Sequence, residues 1–171
     1  MTAWEQALVA EAARKGSIGW VDVHHPDRPA RALWLIWHDD AIVVVTGGEE
    51  QPDPGLAHDS EATLVLRSKE TQARVIAVDV RVTELTSDSD AWRSAAQALH
   101  VKRLNSIDGE GTIERWRETS RIWRLSPTGT VVEAPGSMDS GSHRAVPATT
   151  SATTEGTTPL MIGRRPRRRP L

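Results

Sequence analysis

Two short stretches bring imidazoles and carboxylates together, Asp22-Val23-His24-His25 and His38-Asp39-Asp40. If their strands paired side by side they could share a divalent cation, but both sit at turn signals, where solvated His and Asp are the ordinary occupants. No metal site is expected. Glu49-Glu50-Gln51 with Asp53 places like charges next to one another, which would raise a carboxyl pKa if the pair were buried, as acid–base chemistry requires. Bracketed by Pro52 and Pro54, the same residues read more readily as a wet loop. A third set lies at the ends of apolar runs: Arg31, Thr46-Gly47 and Arg67-Ser68-Lys69. Cations and hydroxyls at strand ends suit a barrel-mouth site for an anionic cofactor, and solvated strand ends are the plain alternative. Arg164-Arg165-Pro166-Arg167-Arg168-Arg169 would attract phosphate backbones, but with no interleaved aromatic it supports nonspecific nucleic-acid contact at most.

Other chemistry is excluded by reading. The chain has no cysteine, so it has no disulfide, no thiolate metal site and no cysteine nucleophile. It also lacks a P-loop, a dinucleotide-binding Gly-rich turn and a nucleophile elbow. No catalytic residue can be named. Seven Trp with no Phe or Tyr mean that every aromatic contact falls to tryptophan. Trp34, Trp37 and Trp123 read first as core residues and second as ligand-stacking ones.

The elements that must position these residues follow from local pattern. Thr2 and Glu5 have capping-box spacing, Trp4, Leu8 and Ala12 share a helical face, and Gly16 sits where a left-handed stop belongs. Residues 17–24 read as a strand ending at the turn His25-Pro26-Asp27. The apolar runs 32–37 and 41–46 flank His38-Asp39-Asp40 as a hairpin, and neither alternates, so both faces should be covered. Residues 47–60 form a long loop that asks for a reason beyond connection. Strands are expected over 62–67 and 74–85, the second with Ile76, Val78, Val80 and Val82 on one face and Ala77, Asp79, Arg81 and Thr83 on the other. Helices are expected from about Ser89 to Leu104, entered through Ser87 or Asp88, and over 112–118. A last strand over 121–125 should stop at Pro127. This order lacks strict β–α alternation and suggests a small antiparallel barrel with helices packed on it.

Residues 1–133 are expected to fold as one domain. Residues 134–171, rich in Ser, Thr, Gly and Pro and poor in large apolar side chains, are expected to form a disordered tail ending in the Arg-rich segment. Net charge is −2 overall, with an acidic body and a basic tail. No apolar run approaches the roughly 20 residues that span a bilayer, and the start of the chain has no secretory pattern. A cytoplasmic protein without a membrane partner is the expectation.

The order of elements over residues 4–127, with Arg31-Ala32-Leu33-Trp34-Leu35-Ile36-Trp37 and Ile42-Val43-Val44-Val45-Thr46-Gly47, resembles the pyridoxamine 5′-phosphate oxidase-like family of FMN-binding split β-barrels. The resemblance implies a mainly β fold with flanking helices, an antiparallel split barrel of six to seven strands. It further implies a homodimeric flavin-dependent oxidoreductase that binds FMN, or a deazaflavin or haem, between barrels and acts on a small-molecule substrate. Cofactor contacts fall by this resemblance on Arg31, Trp34, Ile36, Val45 and Thr46. Where the family carries a basic phosphate-binding segment this chain reads Gly48-Glu49-Glu50-Gln51, so Arg67 and Lys69 would join Arg31 on the anion and Gln51 would meet the ring. Two further readings stand beside it. One is a cofactor-free dimeric binding module that uses the acidic 49–56 loop to meet a cationic ligand, and the other is an interaction protein working through its Arg-rich tail.

Overall fold

The computed structural model describes residues 1–103 and 109–138, within the compact unit Met1–Ser140. The expected tail from residue 139 onward, and Leu104, lie outside the described residues. Element order is α1 (Ala3–Lys15), β1 (Ile18–Asp22), β2 (Arg31–Trp34), β3 (Ile36–His38), β4 (Ala41–Thr46), β5 (Glu61–Arg67), β6 (Arg74–Glu84), α2 (Asp90–Lys102), α3 (Thr112–Thr119) and β7 (Arg121–Glu133).

All seven strands form one antiparallel sheet in the order β2-β1-β5-β6-β7-β4-β3. Its two edge strands, β2 and β3, are neighbours in sequence, so the sheet curls until its edges come together. The expected single strand over 32–37 is therefore two. Leu35 breaks it, donating its N–H to the Ser17 carbonyl (3.0 Å), so that β2 pairs with β1 while β3 pairs with β4 at the opposite edge. No propensity scale marks that break; closure of the sheet imposes it.

Alternation along the strands divides the core into two layers. Leu33, Ile42, Val44, Leu64, Leu66, Val78, Val80 and Trp123 fill the barrel together with Val9, Ala12 and Ala13 of α1. On the other side of the sheet Val43, Val45, Ile36 and Ile122 pack against Trp92, Ala95, Ala96 and Leu99 of α2 and Trp116 of α3. β4 lies between the two layers and is buried at all six positions. This is why its sequence does not alternate, and each of its Val and Ile side chains is worth about 1.5–3 kcal/mol of burial. The covering comes from within one chain.

Local signals set several boundaries. Thr2 caps α1, accepting from the Glu5 N–H (3.3 Å) while its own N–H donates to Glu5 Oε2 (2.6 Å). The two-residue turn between β3 and β4 places both Asp39 and Asp40 at positive φ (47° and 56°), the conformation a tight hairpin requires.

Other expectations are corrected. Gly16 is extended (φ −85°) rather than left-handed; glycine is needed because a Cβ there would lie 2.9 Å from the Ala12 carbonyl. The buried face of α1 is Val9, Ala12 and Ala13, and Trp4 is 58% exposed. Ala77 is buried rather than wet, since β7 runs on to cover the start of β6. The cap of α2 is Ser89, whose hydroxyl accepts from the Trp92 N–H (3.1 Å), in place of Ser87 or Asp88. Pro127 does not end β7. There Thr128, Gly129 and Thr130 bulge opposite the single residue Asp79, and an irregular register tolerates a residue without an N–H.

Candidate functional site

The segment after β4 explains the acidic pair. Gly47 and Gly48 both take positive φ (83° and 58°), and a Cβ on Gly48 would meet Thr119 Oγ1 at 2.7 Å, so the chain can turn tightly against the end of α3. This delivers Glu50 into the helix layer. Its side chain is only 1% exposed. Trp116 Nε1 donates to Oε1 (2.8 Å), Arg115 Nη1 and Nη2 donate to the same oxygen (3.3 Å each), and Arg103 Nη1 stands 2.7 Å from Oε2. Two guanidinium groups and an indole N–H thus enclose one carboxylate, the paired condition under which a charge can be buried. Glu49 points outward, 63% exposed and 3.9 Å from Arg115.

Gln51, the next residue, works on the backbone. Its amide nitrogen donates to the carbonyls of Trp34 (2.9 Å) and Val45 (3.0 Å), and its Oε1 accepts from the Trp34 N–H (2.7 Å). It replaces the ladder that β2 and β4 would make if they were adjacent strands. Thr46 is fully buried, its hydroxyl accepting from Trp123 Nε1 (2.9 Å) and donating to Asp53 Oδ2 (3.3 Å). Asp53 Oδ1 in turn accepts from the N–H groups of Gly55 (2.7 Å) and Leu56 (2.8 Å). The long 47–60 loop is thereby tied down at Glu50, Gln51 and Asp53.

Two clefts open on this scaffold. The larger, about 450 Å³, lies between the β1–β2 connection and the 53–55 turn and is lined by Asp27, Arg28, Pro29, Arg31, Asp53 and Gly55. Arg28 lies so close over Gly55 that any side chain there would strike its guanidinium. The smaller, about 130 Å³, lies between the end of α1 and the β5–β6 hairpin and includes Trp20, Arg67 and Lys69. Among the described residues the side chains of Arg28, Arg31, Arg67 and Lys69 make no ion pair or hydrogen bond with protein groups. Arg74, Arg81, Arg93, Arg103, Arg115, Arg117 and Arg121 are all paired with carboxylates. Among the described residues, the free cations other than Arg14, stacked on Trp37, and Lys102 gather at the clefts.

The eight cofactor residues expected from sequence therefore occupy three places. Arg31 lines the larger cleft, with Thr46 linked to it through Asp53. Trp34, Ile36 and Val45 face the helix layer, and Gln51 is bonded to the backbone beside them. Arg67 and Lys69 stand in the smaller cleft. Arg31 pairs with Val21, which pairs with Leu64, so Arg67 is three residues further along β5, about 10 Å, and two strands across. The structure does not bring the three cations to one anion. Sequence reasoning missed Arg28, Arg103, Arg115 and Trp116. The signals available were Arg28 three residues before Arg31, and the double glycine that marks a close approach ahead of Glu50.

The imidazoles are also apart. His24 Nε2 bonds Thr63 Oγ1 (2.8 Å) and His38 Nε2 bonds Ser94 Oγ (2.8 Å), and no group of three potential ligands converges among the described residues.

No protein-family model and no curated protein matches this chain. Solved structures similar to it include the following two. The heme storage protein HutZ from Vibrio cholerae superposes with a TM-score of 0.54 at 12% identity, over 72% of this chain and 89% of that one. The conserved hypothetical protein Rv2991 from Mycobacterium tuberculosis gives 0.54 at 13% identity, over 75% and 81%. Together with the strand order, these likenesses identify the fold as an antiparallel split β-barrel with flanking helices. No helix among the described residues is long and apolar enough to cross a membrane.

Proposed function

We propose that this chain is a divergent member of the pyridoxamine 5′-phosphate oxidase-like split barrels. In this reading it is a homodimeric flavin-dependent oxidoreductase whose cofactor, FMN, places its phosphate at the Arg28–Arg31 cleft. The observation that carries the reading is the pair of uncommitted guanidinium groups on the larger cleft, set against a loop whose Glu50 and Asp53 are already engaged. Glu50 is turned away and enclosed, so it does not oppose an anion there. Asp27 and Asp53 line the cleft, and both oxygens of Asp53 already accept hydrogen bonds.

The donor set fits the anionic end of such a cofactor. Guanidinium forks bind phosphate bidentately, and Arg28 and Arg31 can approach from one wall. The side chains of Thr46 and Gln51 are fully engaged within the protein, so ring contacts would fall to backbone groups and to Trp34 rather than to those side chains. When bound, the flavin supplies the hydride or electron chemistry. The protein holds the anion and orients the ring.

The acidic-loop module is less well supported, because only Glu49 of the pair presents its charge outward. Haem belongs in the same test, since its propionates are anions and a protein of the same fold stores it.

The deciding experiment is the visible spectrum of the purified chain, alone and after addition of FMN, a deazaflavin or haem, repeated with Arg28→Ala/Arg31→Ala. We expect bound FMN, with affinity reduced about 100-fold in the double variant, since each lost charged hydrogen bond costs about tenfold or more. A chain that binds none of the three overturns the cofactor reading, and a chain that binds haem alone replaces the flavin. Light scattering tests the dimer.

A further inference from the structure

The smaller cleft is a separate site with its own chemistry. Arg67 lies over the Trp20 ring, its guanidinium carbon 4.0 Å from the centroid, which restrains the fork. Its Nε is buried and has no hydrogen-bond partner, and no carboxylate meets its terminal nitrogens. Lys69 projects from the hairpin turn beside it, where Ser68 Oγ accepts the N–H groups of Glu70 and Thr71 (3.2 Å each). Lys15 closes the opposite side, its ammonium held by Glu11 (2.7 Å).

We propose that this cleft binds a phosphate-sized dianion, free or as the terminal monoester of a small molecule, between Arg67, Lys69 and Lys15. Three arguments converge. A volume near 130 Å³ is far below the roughly 300–1,000 Å³ of drug-sized and cofactor pockets, so a small ion is the fitting occupant. Three cations face two acids, Glu11 and Glu70, leaving net positive charge. Arg67 is pre-organised by the indole rather than by an internal anion, so little ordering is needed when a ligand arrives.

Two acids compete: Glu11, already paired with Lys15, and Glu70 in the hairpin turn. The Glu70 carboxyl is held below the usual range first by its own backbone N–H, then by the Ser68 hydroxyl, with Lys15 and Lys69 contributing further. Those bonds to its own turn hold it against the hairpin. The site does not depend on the cofactor reading, because it shares no lining residue with the larger cleft.

The test is calorimetric titration of the full chain with inorganic phosphate and with glycerol 2-phosphate, at constant ionic strength maintained with chloride. Tryptophan fluorescence is followed in parallel, because an anion on Arg67 should perturb Trp20. We expect saturable binding of at least one of the two, weakened about tenfold or more in Arg67→Met and in Lys69→Ala and unchanged in Arg93→Ala, a surface arginine outside both clefts. Binding of the monoester alone assigns the site to a larger ligand's phosphate; binding of phosphate alone assigns it to the free ion. Absence of binding to either overturns the proposal, as does binding lost in Arg31→Ala but kept in Arg67→Met. Thermal unfolding of each variant confirms that the fold is intact.

Discussion

The Glu50 cluster and the two clefts use the same residue types to opposite ends. At Glu50 a carboxylate is enclosed by Arg103, Arg115 and Trp116 and tied to helices far along the chain. At the clefts, guanidinium groups of the same kind form no ion pair among the described residues, Arg28 and Arg31 in a cleft that Asp27 and Asp53 also line and Arg67 stacked on Trp20. The acids that look chemical in the sequence are thus part of the framework. The arginines left uncommitted are the residues with capacity for a ligand.

Removal of Glu50 should give the largest effect. Glu50→Ala removes the carboxylate that lies between the Arg103 and Arg115 guanidinium groups, and we expect a loss of about 3–5 kcal/mol in urea unfolding. A change below about 1 kcal/mol would show that the cluster is solvated and that the contrast with the clefts is false. Gln51→Ala should follow at about 2 kcal/mol, because the backbone groups of Trp34 and Val45 lose their partners. Trp116→Phe keeps the ring in the helix layer but deletes the N–H to Glu50, for an expected loss of about 1–2 kcal/mol.

Thr2→Ala, outside both regions, calibrates the scale at about 1 kcal/mol for a lost cap. It also predicts a pH effect. The Thr2 N–H and then its hydroxyl hold the Glu5 carboxyl below its usual range, so the stabilisation is present above the ordinary carboxylate pKa. It is lost as pH falls through the depressed value. Helicity of α1 followed by circular dichroism should decline in acid in the wild type, less so in Thr2→Ala, which keeps the backbone N–H, and that component should be absent in Glu5→Gln. At the other extreme, Arg28→Ala and Arg31→Ala should move stability by no more than about 0.5 kcal/mol, since neither side chain has an internal partner. A large loss there would place these arginines with the framework after all.

Local interactions made much of the fold legible. The capping box at Thr2, the turn at Asp39-Asp40 and the core-facing alternation of Ile76, Val78, Val80 and Val82 each depend on residues a few positions apart. The covered faces of β4 were likewise readable, because an unbroken apolar run has few other uses. The position of Arg31 at a strand end beside a cleft could be inferred in the same way.

What the sequence determined by itself is this set of elements, their polarity and the absence of thiol chemistry. Tertiary structure alone decided where the apolar run breaks at Leu35, how β7 passes Pro127, and which charges are spent. The Glu50 carboxylate meets partners 53 to 66 residues away, and Arg31 and Arg67 part company because the strands carrying them run past each other in register. The physical reason is that a charge's role depends on what desolvates or neutralises it, and those neighbours arrive only when the sheet closes.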